Sequence, residues 1–179
     1  YAKQAISQIA SGVSSHSGRA FFDDLVINLA QLFHAKYAFI GLLDADDHQS
    51  GGITTMSLCA DGEIVENITY PLQDTPCANV FSQHTCVHSS GVQQLFPADQ
   101  LLQDMSIEGY IGTRINHPDG TPIGLMVVLD IHPLSRVDQI KNILEIFAAR
   151  AGAEIQRLNA ESLTRKIAYE DDLTKLPNR

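Results

Sequence analysis

The stretch GYIGTRINHPDGTPIGLMVVLD, residues 109–130, decides how this chain folds. Asp119-Gly120 separates two runs of strand length, Gly109–Asn116 and Pro122–Ile131. Asp-Gly is a favoured hairpin signal because glycine takes the positive φ that closes the turn. The second run sets Ile123, Leu125, Val127 and Leu129 on one side and Met126 and Val128 on the other. A strand apolar on both faces belongs inside a sheet that is covered on both sides. Lys36–Asp44 reads the same way, with Phe39 and Leu43 alternating against Ala38, Ile40 and Leu42. The two doubly apolar strands should therefore be neighbours.

Working outward, Gly52–Ala60 and Glu63–Tyr70 flank Asp61-Gly62, a second hairpin, and Thr85–Ser89 is a further short strand. Helical spacing appears in Tyr1–Val13 and again where Phe22, Leu25, Val26, Leu29, Leu32 and Phe33 form one stripe; such a stripe must face a partner layer. Thr75-Pro76-Cys77 opens a short helix, with Thr75 as N-cap and Pro76 at the first helical position. A second short helix covers about Ala98–Met105. From Ser135 to about Ala168 the chain reads as one long helix. Its apolar seam, Val137, Ile140, Leu144, Phe147, Ala151, Ile155 and Leu158, is heptad-like apart from one 4–4 step. The first half can pack on the sheet, and the polar part beyond Leu158 suits a connecting rod or a dimer seam. The expected fold is α+β: a mainly antiparallel sheet of about six strands with the N- and C-terminal helices packed together on one face.

Composition narrows the function. The 179 residues carry 12 Lys+Arg against 21 Asp+Glu, a formal net charge of -9. That excludes nucleic-acid binding by a generic basic patch, which needs clustered cations to neutralise phosphates. The hydrophobic fraction of 44% supports a sizeable core. No apolar stretch approaches the ~20 residues of a membrane-spanning helix. Three cysteines, Cys59, Cys77 and Cys86, are too few for a disulfide framework, so a reducing, cytoplasmic setting is expected. The chain starts at Tyr1 without an initiator Met and stops at Arg179, which reads as a piece of a longer protein.

Two stretches resemble known families. Tyr70-Pro71-Leu72, Thr75-Pro76-Cys77, Phe96-Pro97-Ala98-Asp99, Tyr110-Ile111-Gly112, Gly120, Ile123-Gly124-Leu125, Val128-Leu129-Asp130 and Pro133-Leu134 follow in an order and spacing that resembles a GAF domain. GAF domains are small-molecule sensory modules, and the resemblance covers about residues 18–150. The tail, Ala168-Tyr169-Glu170-Asp171-Asp172-Leu173-Thr174-Lys175-Leu176-Pro177-Asn178-Arg179, is similar to the opening segment of GGDEF domains, which make cyclic di-GMP from two GTP. Lys175 stands where that family commonly has Gly. The resemblances imply residues 1–17 as a connecting helix, 18–150 as the sensor, 151–168 as a linker helix and 169–179 as the start of a GGDEF domain. The implied parent is a diguanylate cyclase, with or without a phosphodiesterase domain, and the fragment itself carries none of that catalysis. The implied partners are a small-molecule ligand, a second copy docked through the helices, and the GGDEF domain in the same chain.

The resemblance also implies a ligand pocket on the other face of the sheet, under the helices Thr75–Gln83 and Ala98–Met105. Position in the motifs nominates Thr75, Cys77, Phe96 and Tyr110 as its neighbours. Ligand and cofactor stay unassigned, since GAF ligands range from cyclic nucleotides to tetrapyrroles. Some relatives attach bilin through a cysteine, but the bilin-binding signature is missing around Cys77. A thiol in the first turn of a helix has its thiolate stabilised by the backbone dipole, or it simply closes the helix start as a small packed residue. His84, Cys86 and His88 alternate along the expected short strand, which invites a metal reading, although spacing indicates no fourth ligand. Asp44, Asp46 and Asp47 with His48 read as a solvated turn rather than a calcium site. Cys59 reads as packing. Two alternatives to a sensor remain: a ligand-free dimerisation scaffold, and a cysteine-based methionine sulfoxide reductase using Cys77 and Cys86.

Overall fold

The computed structural model describes residues 17–44 and 51–173. The helix expected over Tyr1–Val13, the acids Asp46 and Asp47 with His48, and the tail from Thr174 lie outside the described residues. In chain order the elements are α1 (Arg19–Phe33), β1 (Tyr37–Leu43), β2 (Gly52–Ala60), β3 (Glu63–Val65), β4 (Thr69–Pro71), α2 (Pro76–Gln83), β5 (Thr85–His88), α3 (Val92–Leu95), α4 (Gln100–Asp104), β6 (Gly109–Asn116), β7 (Pro122–Asp130) and α5 (Val137–Leu173). The sheet runs β3-β2-β1-β7-β6-β5, with β4 also beside β2. Every pairing is antiparallel.

The two doubly apolar strands are adjacent: β1 pairs β7 from Tyr37↔Leu129 to Leu42↔Gly124. A Cβ on Gly124 would collide with the Gly41 carbonyl oxygen, so glycine lets these central strands approach. Both hairpins form where expected. Asp61 and Gly62 take positive φ, 51° and 83°, as a two-residue primed turn requires. The β6–β7 loop is longer: Gly120 donates to the His117 carbonyl and His117 N–H to the Thr121 carbonyl, with Gly120 at φ 88°. The strand expected over Glu63–Tyr70 divides into β3 and β4, so the sheet has seven strands rather than about six. Thr55 causes the division. Its buried hydroxyl donates to Asn67 Oδ1 at 3.0 Å and accepts from the Ile68 N–H at 2.8 Å, so the chain bends around it.

Alternating residues of the same strands build two separate cores. On one face, α1 contributes Phe22, Leu25 and Leu29, and α5 contributes Ile140, Leu144, Phe147, Ala151 and Ile155, against Ala38, Ile40, Met126 and Val128. The apolar seam of the long helix is therefore core. It faces the sheet and α1, not a partner helix, and Leu158 still packs against it. On the other face, Phe39, Leu58, Leu125, Val127 and Leu129 meet Cys77, Val80, Val92 and Leu102 from the short helices.

A cavity between the sheet and the short helices

The second face does not close completely. A cavity of about 390 Å³ lies between the sheet and α4, within the ~300–1,000 Å³ usual for small-molecule sites. Phe39, Leu58 and Leu129 line it from the strands, and Leu101, Leu102 and Met105 line it from the α4 side. The strand residues face it because alternate positions of β1, β2 and β7 point to one side of the pleat. Its lining is almost wholly apolar; Tyr70, Cys77 and Tyr110 form a polar cluster in it, and Glu66 and Asp99 are also among the residues around it.

Cys77 enters from the first turn of α2. Tyr110 donates its hydroxyl to the Cys77 sulfur at 3.3 Å, and the Tyr70 hydroxyl lies at the same distance. The thiol is fully buried, and burial pushes it up to about 11 against the pull of both tyrosine hydroxyls. The helix start therefore does not make Cys77 a reactive thiolate, because desolvation outweighs the dipole. Burial first, and the neighbouring sulfur second, also raise Tyr70 and Tyr110 well above the ordinary phenol range. Gly112 makes room for this arrangement: a Cβ there would sit 2.5 Å from the Tyr110 hydroxyl and 2.9 Å from Val80.

Of the four nominated residues, the structure brings Cys77 and Tyr110 to the cavity wall. Thr75 is buried next to Cys77 and occupies the N-cap position with extended backbone, but it makes no side-chain cap. Its hydroxyl donates instead to the Leu72 carbonyl at 2.6 Å. Phe96 is not part of the lining. It packs edge-on against His88 at 5.3 Å, and the His88 ring in turn lies 6.2 Å from that of Tyr110.

His84, Cys86 and His88 are not one row. His84 has φ 70° and ends α2, so β5 begins after it. His84 lines a separate cleft of about 330 Å³ beside α5, with Arg114, His117 and Glu145. Cys86 and His88 touch, sulfur to Nε2, at 3.3 Å. Burial raises the Cys86 thiol and lowers the His88 imidazolium, which favours the neutral form of both. Cys59 is buried in the core of the helix face. Among the described residues no three His, Cys, Asp or Glu side chains are grouped to hold a metal ion.

Sequence reasoning did not single out Asp99, Glu66 or Tyr70 as site residues. Asp99 caps α4 by accepting the Leu102 N–H at 3.3 Å, and burial is the main cause that raises its carboxyl. An acid followed three residues on by the first buried leucine of a helix is the signal that could have found it.

No family model matches the chain, and no curated protein does. Solved structures do. The GAF domain of the phosphoenolpyruvate-protein phosphotransferase from Coxiella burnetii aligns with a TM-score of 0.71 at 15% identity, over 90% of this chain and 96% of that one. The corresponding Acinetobacter domain gives 0.70 at 12% identity, again over 90% and 96%. The fold is GAF-like. The chromophore-binding domain of Stigmatella aurantiaca phytochrome P1 aligns at 0.65 and 12% identity, over 85% of this chain and 59% of that longer one. At these identities the shared property is the GAF-like architecture itself, an antiparallel sheet with helices.

Proposed function

We propose that this chain is the small-molecule-sensing part of a bacterial cyclic di-GMP signalling protein. In this reading the cavity between the sheet and α4 takes the ligand, and α5 carries its state to a GGDEF output domain. The observation that carries the reading is the contrast within one domain between a closed helix-face core and an open, apolar cavity on the opposite face. The GGDEF assignment rests on the resemblance of the tail alone. One solved neighbour with this fold is a far-red absorbing dark state with bound biliverdin, which supports ligand binding as a use of the architecture.

Transmission needs a partner. The outward face of α5 carries Ile146, Ala149, Ala153, Gln156, Ala160, Leu163 and Ile167, at alternating spacings of three and four. All seven are exposed, Leu163 by 60% and Ile167 by 56%. This is the heptad seam of a two-stranded coiled coil, distinct from the seam that packs on the sheet. In a parallel pair its flanks would set Glu145 of one helix opposite Arg150 of the other. A redox enzyme fits less well, because burial raises both Cys77 and Cys86 and a protonated thiol is a poor nucleophile.

Native mass spectrometry and an absorption spectrum of the purified chain test the reading. A dimer carrying a bound small mass or a chromophore is expected. A tightly associated dimer with an empty cavity would favour the scaffold. Leu163→Lys with Ile167→Lys should give a folded monomer, and an unchanged dimer would remove α5 as the seam.

A further inference from the structure

Neither acid around the cavity offers a buried charge. Asp99 is half-buried and caps α4, its carboxylate engaged by the backbone N–H groups of Leu101 and Leu102, and Glu66 is exposed. No Lys, Arg or His is among the described residues that line the cavity. The wall is hydrocarbon and aromatic ring: Leu58, Leu102 and Leu129 with Tyr37, Phe39 and Tyr70. A charged ligand enclosed here would lose its water without gaining a counter-charge.

The Tyr70–Cys77–Tyr110 cluster is neutral as well, because burial pushes the thiol up to about 11 and holds both phenols well above their ordinary range. It nonetheless keeps one donor. Two hydroxyls and a thiol carry three protons, and the two contacts within the cluster use two of them. Tyr110 donates to the sulfur, and a single proton serves the contact between the sulfur and the Tyr70 hydroxyl, which either partner can give. When Cys77 gives it, the Tyr70 hydroxyl has its own proton left for a ligand, and the sulfur still accepts from Tyr110. A donor set in an apolar wall favours an acceptor that brings no charge with it.

We infer that the cavity selects an uncharged aromatic ligand with one acceptor of the carbonyl kind, held by the Tyr70 hydroxyl. The inference rests on the reading of this cavity as the ligand site. Its size agrees: a dry cavity of about 150 Å³ takes one benzene ring, so about 390 Å³ takes two fused rings with a short substituent. The rings on the wall can meet such a body edge-on or offset.

Equilibrium dialysis of the chain against four naphthalenes, all substituted at the same ring position, tests it: the methyl ketone, the ethyl hydrocarbon, the carboxylate and the aminomethyl cation. The ketone and the hydrocarbon should both bind, and each charged analogue should bind at least about tenfold more weakly than the ketone. Tyr70→Phe keeps the ring and removes the donor, so it should lower ketone affinity about fivefold, the worth of one neutral hydrogen bond, with hydrocarbon affinity unchanged. In the unsubstituted protein the infrared carbonyl stretch of the bound ketone should lie below its position in hexane, as a hydrogen-bonded carbonyl does. A stretch at the hexane position overturns the Tyr70 contact without recourse to the variant. The selection is also wrong, while the cavity remains a ligand site, if either charged analogue matches the ketone or if Tyr70→Phe changes the two uncharged affinities alike. If none of the four binds up to its solubility limit, the inference and the ligand-site reading fall together.

Discussion

Leu144 and Leu102 are buried on opposite faces of one sheet, and their surroundings differ in kind. Leu144 lies among Phe22, Ile140 and Phe147 in a core where two long helices close over the strands. Leu102 belongs to a five-residue helix and forms part of the wall of a cavity. The strands are shared, so the difference comes from what covers them. A long amphipathic helix can fill every groove of a sheet face. Short helices held by a cap and a turn leave space between them.

That contrast predicts unequal costs for the same truncation. Leu144→Ala should destabilise by about 4–5 kcal/mol, the upper part of the range for buried leucines, because rigid helices cannot collapse into the void. Leu102→Ala should cost about 2–3 kcal/mol, because its site already borders open space and α4 can shift inward. Urea melts of both variants decide it. Equal costs would mean that the cavity face is as tightly packed as the helix face. Gly112→Ala probes the same contrast from inside the sheet. The new methyl must displace the Tyr110 hydroxyl or Val80, at about 1–3 kcal/mol, and it should abolish small-molecule binding in the cavity while leaving the helix face intact. Full stability with unchanged binding would show that Tyr110 has slack that its burial does not suggest.

The thiol cluster gives a smaller effect and a direct readout. With Cys77 pushed up to about 11, roughly one thiol in a thousand is ionised at pH 8. Iodoacetamide should therefore leave Cys77 unlabelled in the native protein and label it after denaturation. Rapid native labelling would show that the cavity admits water and reagent freely. Tyr110→Phe removes the hydroxyl that donates to the sulfur and should cost about 1 kcal/mol, with thiol labelling still slow.

The contrast between the faces was only half legible in the sequence. Doubly apolar runs such as Lys36–Asp44 and Pro122–Ile131 reveal a sheet covered on both sides, and the stripe from Ile140 to Ile155 reveals what covers one of them. Asp-Gly turns reveal the hairpins. Three things escaped because they depend on tertiary placement. Thr55 divides an expected strand through its side-chain bonds to Asn67 and Ile68, and nothing local marks a threonine for that role. The apolar seam of α5 shows that a partner surface exists without saying whether it is the sheet or another helix. Cys77 and Tyr110 follow from their place in the motifs, whereas Asp99 has the local signature of an ordinary cap, and only the packing of α4 sets it against the cavity.

The smallest expected effect lies at the end of the filled face, where the helices are joined by polar contacts. Glu154 accepts the Gly18 N–H at 2.9 Å and the Arg157 guanidinium at 2.8 and 2.7 Å, tying the start of α1 to α5; Arg157 also reaches Glu161. The Arg157 hydrogen bonds, helped by the Gly18 N–H and opposed by burial, hold the Glu154 carboxyl below its usual range. A carboxyl whose pKa is lower in the folded state stabilises that state above its unfolded pKa of ~4.3, and loses the contribution as pH falls through its folded value. Glu154→Gln should therefore melt no more than about 3 °C below the unsubstituted protein at pH 7, and the gap should begin to narrow below the unfolded pKa of ~4.3 and close as the pH falls through the lower folded value. A gap that persisted unchanged into acid would mean that Glu154 joins the helices by shape and hydrogen bonding and not by charge. The polar clasp would then be as indifferent to protonation as the apolar core beside it.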